Sequence, residues 1–313
     1  MEKFIQYMQG RNYSETTQKM YLRSVNLFLE WIDKQETEIT KKDVLKYLEH
    51  LKTQKNLKNV SRKMELTGMN HYFTFLYQSE QTTQNPCSFL KIRGIEKVSL
   101  YRTFTPEQLT QLFDDYYTVF VKNYDYTRTP PNRLTETKLN KERNAVILNL
   151  LIHQGTTTKE IDKMLLQDID LTRATVKIRG GKRSNERNLQ LKAEQIGLLI
   201  NYIQNIRPQF LTATNRESEK LFFPYPNTGN QKSKAPESLM DLFKPLTAQV
   251  KSIETHFLNF KQVRASVITH WLKVHGLRKT QYMAGHRYIR GTEYYLPNNL
   301  EDLTNDISKH HPF

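Results

Sequence analysis

The chain has a single cysteine, Cys87, among its 313 residues, which excludes a disulfide framework and a thiolate metal cluster and gives no reason to invoke an oxidising compartment. Long hydrophobic runs are missing as well. The longest apolar stretch, Ala145 to Ile152, is interrupted by Asn149 and falls far short of the ~20 residues that cross a bilayer. The start, Met1-Glu2-Lys3-Phe4-Ile5-Gln6, has no apolar signal core, so a cytoplasmic protein away from membranes is expected. Among the histidines only His310 and His311 are adjacent, and they read as a chain end rather than a ligand pair, so neither metal nor cofactor is expected. Acidic residues are in deficit. The 32 Asp and Glu face 47 Lys and Arg, leaving a formal charge of +15, the electrostatic footprint of a protein that meets a polyanion.

What remains is a soluble globular composition, 37% hydrophobic and 25% charged, long enough for two domains and without internal repeats. Residues 1–90 read as a helical unit. Ser14 is a good N-cap, and after it Tyr21, Val25, Phe28, Leu29 and Ile32 recur at helical spacing. A second helix starts at Thr40, with Asp43 three residues on, and buries Val44, Leu48 and Leu51. A third runs from about Val60 to Gln78, with Lys58, Arg62 and Lys63 near its start, where they are expected to meet phosphates. Asn85-Pro86 stops the helical pattern, and the basic stretch 91–103 reads as a linker.

A second domain, 104–313, opens at Thr105-Pro106-Glu107-Gln108, where a threonine cap, proline at the first helical position and a glutamine three residues after the cap coincide. Residues Asn123 to Leu139, with Pro130-Pro131, suggest an exposed loop, followed by a helix from Lys141 to His153. Three strand-like runs come next, Leu165 to Leu171, Thr175 to Arg179 and Asn188 to Leu191, separated by turn residues such as Gly180-Gly181 and Ser184-Asn185. A helix near Ala193 to Ile206, a polar loop at Pro224 to Ser233 and a short amphipathic tail helix from Leu296 through Ile307 complete the pattern. The fold class is mainly α with a small antiparallel β-sheet, α+β.

Four features of this second domain stand in an informative order. Gly155-Thr156-Thr157-Thr158-Lys159-Glu160-Ile161 turns into a helix; a hairpin from Ile178 to Arg187 carries Lys182 at its tip; Lys261-Gln262-Val263-Arg264 stands on a helix; and Gly285-His286 precedes Tyr295 by nine residues counted from the histidine. On these residues the sequence resembles the tyrosine recombinase, or phage integrase, family over nearly its whole length. The resemblance implies a SAM-like core-binding domain followed by an integrase-type catalytic domain. It assigns Lys182 to the hairpin lysine, Lys261 and Arg264 to the His/Lys-x-x-Arg pair, His286 to the second histidine and Tyr295 to the nucleophile. The turn at Gly155 matches in its glycine, glutamate and aliphatic residue but carries Thr157 where the family has an arginine.

The physical logic agrees with these assignments. A phosphodiester resists attack because it is anionic and leaves a poor alkoxide, so a metal-free enzyme needs cations on the non-bridging oxygens, a nucleophile and an acid. Arg264 offers planar donors, Lys261 and His286 add hydrogen bonds, and Lys182 serves as acid to the 5′ oxygen. Thr157 with Glu160 forms a capping box at a helix start, and its hydroxyl replaces the missing arginine only in part; Lys159 and Arg143 are nearby candidates for compensation, although helical spacing puts Lys159 on a different face from Thr157. Arg183, Arg187 and Arg287 read as contacts to the DNA backbone or as ordinary exposed charges. The expected partner is double-stranded DNA, bound by a monomer that assembles into a tetramer on it, with DNA-bending accessory proteins and a nucleoid location. Two further readings stand beside recombination: a DNA-binding accessory protein silenced at Thr157, and a topoisomerase-like nicking and closing enzyme.

Overall fold

Side-chain caps at Ser14, Thr40, Thr105, Thr157 and Asn259 set five of the helix starts. The computed structural model describes residues 1–95, 101–181, 184–215, 217–225 and 239–296, which form two units, Met1–Ser99 and Leu100–Phe313. In the first, α1 (Glu2–Gly10), α2 (Glu15–Ile32), α3 (Lys41–Thr53) and α4 (Asn59–Gln78) enclose one core. Ser14 Oγ accepts from Thr17 N, and Thr40 and Asp43 close a reciprocal capping box, as their spacing implies. Helix α1 has no side-chain cap and no strong sequence signal. It forms because Phe4 and Met8, one turn apart, are fully buried, with the Phe4 ring edge-on to Tyr72 at 5.1 Å. Cys87 is a packing residue whose thiol is pushed up to about 12 by burial, and therefore inert at neutral pH.

One basic residue of this unit departs from expectation. Lys58 and Lys63 are exposed, but Arg62 is buried, its Nε donating to the Leu48 carbonyl at 3.0 Å and its Nη1 to Asn59 at 3.1 Å. Its guanidinium joins α4 to the C-terminal half of α3 and is not turned toward solvent.

The second unit begins with α5 (Pro106–Tyr117), capped by Thr105 and Gln108 in a complete capping box with proline in the first turn. Helix α6 (Leu134–Gln154) starts inside the stretch expected to be loop. Polar residues and Pro130-Pro131 dominate that stretch, yet Leu139 and Lys141 are buried, with Lys141 Nζ lying 3.3 Å from the Tyr124 ring centroid. From Ala145 to Ile152 the helix is covered on all sides, which makes it the axis of the unit. After α7 (Thr158–Asp162) come β1 (Ile169–Asp170), β2 (Thr175–Ile178) and β3 (Arg187–Gln190), an antiparallel sheet in sequence order with Val176 opposite Leu189. Residues Leu166–Asp168, expected as strand, form a 3-10 turn instead. Then follow α8 (Ala193–Asn201), a π-turn at Tyr202–Ile206, α9 (Arg207–Thr214), α10 (Phe243–Ile253), α11 (Phe260–Ala284), kinked at Gly276, and α12 (Arg290–Glu293). Residues of the Pro224 to Ser233 loop from 226 onward, and the tail helix beyond Leu296, lie outside the described residues. Among the described residues no helix is long and apolar enough to cross a membrane.

Candidate active site

Two glycine stops position the site. Helix α6 ends at Gly155 in the left-handed region (φ 53°), and α11 ends at Gly285 (φ 69°), where the His286 N–H closes back on the Gln281 carbonyl at 3.0 Å. Only a residue tolerant of that backbone conformation can stop α11 there, and the stop sets the direction of His286. Between Gly155 and α7, Thr157 is the N-cap expected of it: its Oγ accepts from Glu160 N at 3.2 Å, while its own N–H and hydroxyl donate to Glu160 Oε2 at 2.8 and 3.0 Å. Its polar groups are thus engaged within the capping box. The partial replacement of the arginine by this hydroxyl, expected from the sequence, is not what the geometry provides.

Neither cation nominated to compensate does so. Arg143 is fully buried elsewhere, held by the Phe223 carbonyl and Asn144, and Lys159 is exposed. Arg187 enters instead, and where an exposed charge was expected the structure holds a buried one. Its side chain is 0% exposed, and Nη1 donates to Glu160 Oε1 at 2.7 Å. The cause is strand alternation: Arg187 shares the inward face of β3 with Leu189, while Asn188 and Gln190 face out.

Glu160 thereby lies between two guanidiniums, with Arg264 Nη1 3.6 Å from its other oxygen. Burial alone would raise the Glu160 carboxyl, but the Arg187 hydrogen bond and charge, Arg264 and the Thr157 N–H together hold it below the usual carboxylate range. Arg264 projects from the second turn of α11 and is fixed by the Gly155 and Ala284 carbonyls at the two glycine stops, the latter at 2.7 Å. Its Nη2 faces His286 Nε2 at 3.3 Å, and Tyr295 lies within hydrogen-bonding reach of its guanidinium. His286 Nδ1 pairs with Thr292 Oγ1 at 2.9 Å. Burial, then Arg264 and Arg187, lower its pKa to about 4, so the ring is neutral at physiological pH and Nε2 presents a lone pair to Arg264.

Tyr295 stacks on His286, ring centroids 5.8 Å apart and planes within 4°. Tyr294, its neighbour, is exposed and meets Tyr295 edge-on. Lys261 stands one turn before Arg264 and is exposed, as is Arg287. Lys182 and Arg183 lie outside the described residues; on either side of them Gly181 and Ser184 form a bridge, and Ser184 bridges to His286. Among the described residues no cluster of His, Cys, Asp or Glu is arranged to hold a metal.

Comparison with known proteins resolves what such an arrangement belongs to. The model of the phage integrase N-terminal SAM-like domain matches residues 1–83, and that of the phage integrase family matches residues 131–301. The chain belongs to the phage integrase family. It is a tyrosine recombinase, of the enzyme class that cleaves and rejoins DNA. The integrase is 24% identical over 318 residues to the tyrosine recombinase XerC of Listeria innocua, covering 99% of this chain and 97% of the relative. It is 23% identical over 306 residues to the TnP I resolvase of Bacillus thuringiensis, covering 96% of each. Its fold is similar to that of the XerH site-specific recombinase bound to a palindromic difH substrate in a post-cleavage complex, with a TM-score of 0.66 and 16% identity over 93% of this chain and 78% of that one. It is also similar to the Tn1549 transposon integrase in complex with transposon right end DNA, with a TM-score of 0.62, 14% identity and 98% of each chain covered.

One residue of the integrase's site, Thr292, had no role in the sequence pattern, and another, Arg187, stood there only as a contact to the DNA backbone or an exposed charge. Thr292, fully buried, holds His286 by its hydroxyl, and its carbonyl accepts the Tyr295 N–H at 3.0 Å. Its spacing, three residues before the tyrosine, was the available signal. For Arg187 the signal was its phase with Leu189 and Leu191.

Proposed function

We propose that this integrase is a site-specific recombinase that cuts duplex DNA one strand at a time through a 3′-phosphotyrosyl bond to Tyr295, and that it serves integration and excision of a mobile element or phage. The observation that carries the reading is the stacking of Tyr295 on His286 beside the buried Arg264, while Tyr294 faces solvent. In the proposed step the Tyr295 oxygen bonds to phosphorus as the bond to the 5′ oxygen breaks. The phenolic proton passes to solvent, and Lys182 protonates the departing oxygen. Arg264 binds the non-bridging oxygens, with Lys261 adding charge from the same helix face. Neutral His286, held by Thr292, keeps Arg264 and Tyr295 in register. The phosphotyrosyl bond retains the energy of the diester, so religation reverses each transfer without a nucleotide cofactor. Relatives solved on DNA support duplex binding, and a tetramer on DNA supplies four nucleophiles for two duplexes.

The missing arginine at position 157 favours a second reading, a silenced DNA-binding protein of the same fold. Covalent trapping separates the two. Nicked suicide duplexes from candidate element ends and from Xer-type sites, incubated without added metal, are expected to give an SDS-stable adduct with the wild type and with Tyr294→Phe, and none with Tyr295→Phe. DNA that is bound without any adduct would establish the silenced protein.

A further inference from the structure

We infer that Arg187 is a catalytic residue of this integrase, and that its guanidinium binds the scissile phosphate in place of the arginine that the family pattern sets at position 157. The inference rests on the reading of Tyr295 as nucleophile and extends it to the cation that reading lacks.

Three observations carry it. The first is position. Arg187 reaches the carboxylate of Glu160, the same group that Thr157 caps and Arg264 flanks, so a second guanidinium lies at the start of α7 although the residue there is threonine. The second is the donor count. Among the described residues Nη1 is satisfied by Glu160, but Nε and Nη2 are buried without a hydrogen-bond partner, in a side chain with 0% exposure. A buried cation with two donor nitrogens unmet is a strong demand for an anion. The third is charge. Arg187 and Arg264 are positive, Glu160 is negative and His286 is neutral, which leaves the cluster one positive charge in excess. A phosphodiester carries one negative charge. Arg187 also stands close enough to oppose protonation of His286 and to depress the Arg264 guanidinium, so both guanidiniums address the same small volume.

The surroundings are built for this approach. A Cβ placed on Gly285 would fall 2.4 Å from Arg187 Nη1, so glycine at the end of α11 leaves room for the guanidinium as well as permitting the turn. The neighbouring Asn185 N–H donates to the Gly285 carbonyl at 2.9 Å, which ties the start of β3 to the histidine segment. His286 and Tyr295, both half-exposed, are the solvent side of the cluster, and a phosphate binding there reaches the fully covered Arg187 guanidinium by displacing what covers it.

The test compares two suicide substrates, one with an ordinary diester at the cleavage position and one with a neutral methylphosphonate there. A cation that neutralises the phosphate becomes dispensable once the charge is removed, whereas a residue that only supports the fold is needed equally on both. Arg187→Gln is expected to slow adduct formation on the diester by about 100-fold or more, as loss of one transition-state donor does. The deficit should shrink to within about tenfold on the methylphosphonate, where a lost charge contact no longer matters. Thr157→Arg combined with Arg187→Gln is expected to recover cleavage of the diester. Should Arg187→Gln fail to fold, Arg187→Lys, which keeps a charge opposite Glu160, is compared on the same two substrates. Equal slowing on both substrates, or no slowing, overturns the assignment of Arg187 while leaving Tyr295 in place. Absence of an adduct from the wild type overturns the reading on which it rests.

Discussion

Protonating His286 means adding a third positive charge beside Arg264 and Arg187, and the folded protein resists it until the pH reaches about 4. His153, half-buried, is also lowered to about 4 by desolvation and then by the charge of Lys192. In the unfolded chain both rings titrate near the ordinary histidine value of 6.5, so as the pH falls the unfolded state takes up protons first. Neither group penalises folding above pH 6.5, where the ring is neutral in both states. Between 6.5 and 4 stability falls, and below 4 the two rings add nothing further. The Tm should therefore drop across that window, and down to the ordinary 4.5 of Glu160 the histidines act ahead of the depressed carboxylates of Glu160 and Asp43, since Asp43, held at about 2 by its capping hydrogen bonds, loses its contribution only below its ordinary 3.8. Thermal scans of wild type and His286→Asn test this. The variant should show a shallower fall between pH 6.5 and 4, and parallel curves would mean that His286 is not held neutral by burial and its two arginine neighbours.

At the scale of elements, the end of α11 is the point where backbone and chemistry meet. Alanine at position 285 must adopt φ 69°, at a cost of about 1–2 kcal/mol for a left-handed L-residue, and its methyl would displace Arg187 Nη1. Gly285→Ala should lower the Tm modestly and cut adduct formation about as deeply as Arg187→Gln. A variant with reduced Tm and wild-type cleavage would show that the placement of Arg187 is not used in the reaction. This junction also marks how far the sequence could be read. Starts at Ser14, Thr40, Thr105 and Thr157 were legible because a cap and its partner lie within three residues and need no tertiary context. The hairpin was legible from alternation and turn residues. Helix α1 and the first two turns of α6 were not, because burial of Phe4 and of Leu139 against distant elements outweighs weak local signals. The inward turn of Arg62 and Arg187 was hidden for the same reason. Their partners, Leu48 and Glu160, lie 14 and 27 residues away, and a charged residue reads as surface until its partner is known.

For the molecule as a whole, a charge of +15 spread over two units, each with its own core, is a quantity that DNA binding should reveal through salt. Each phosphate neutralised releases counterions, so the logarithm of affinity falls with the logarithm of salt at a slope of about −0.9 per contact. A protein making roughly six to ten such contacts loses about 10³ to 10⁵ in affinity between 50 and 200 mM salt. The slope also distinguishes basic residues that the sequence could not tell apart. Lys58 and Lys63 are exposed at the start of α4, whereas Arg62 between them is spent on the Leu48 carbonyl and Asn59. Lys58→Ala and Lys63→Ala are each expected to reduce the slope by about one contact and leave the Tm nearly unchanged. Arg62→Ala should do the reverse, lowering the Tm by removing the buried guanidinium bridge between α4 and α3 while the slope stays at its wild-type value. Fluorescence anisotropy on a duplex of fixed length, read across salt, measures the slope. A reduced slope in Arg62→Ala with an unchanged Tm would return that residue to the DNA-facing surface and remove the reason for treating the three basic residues differently.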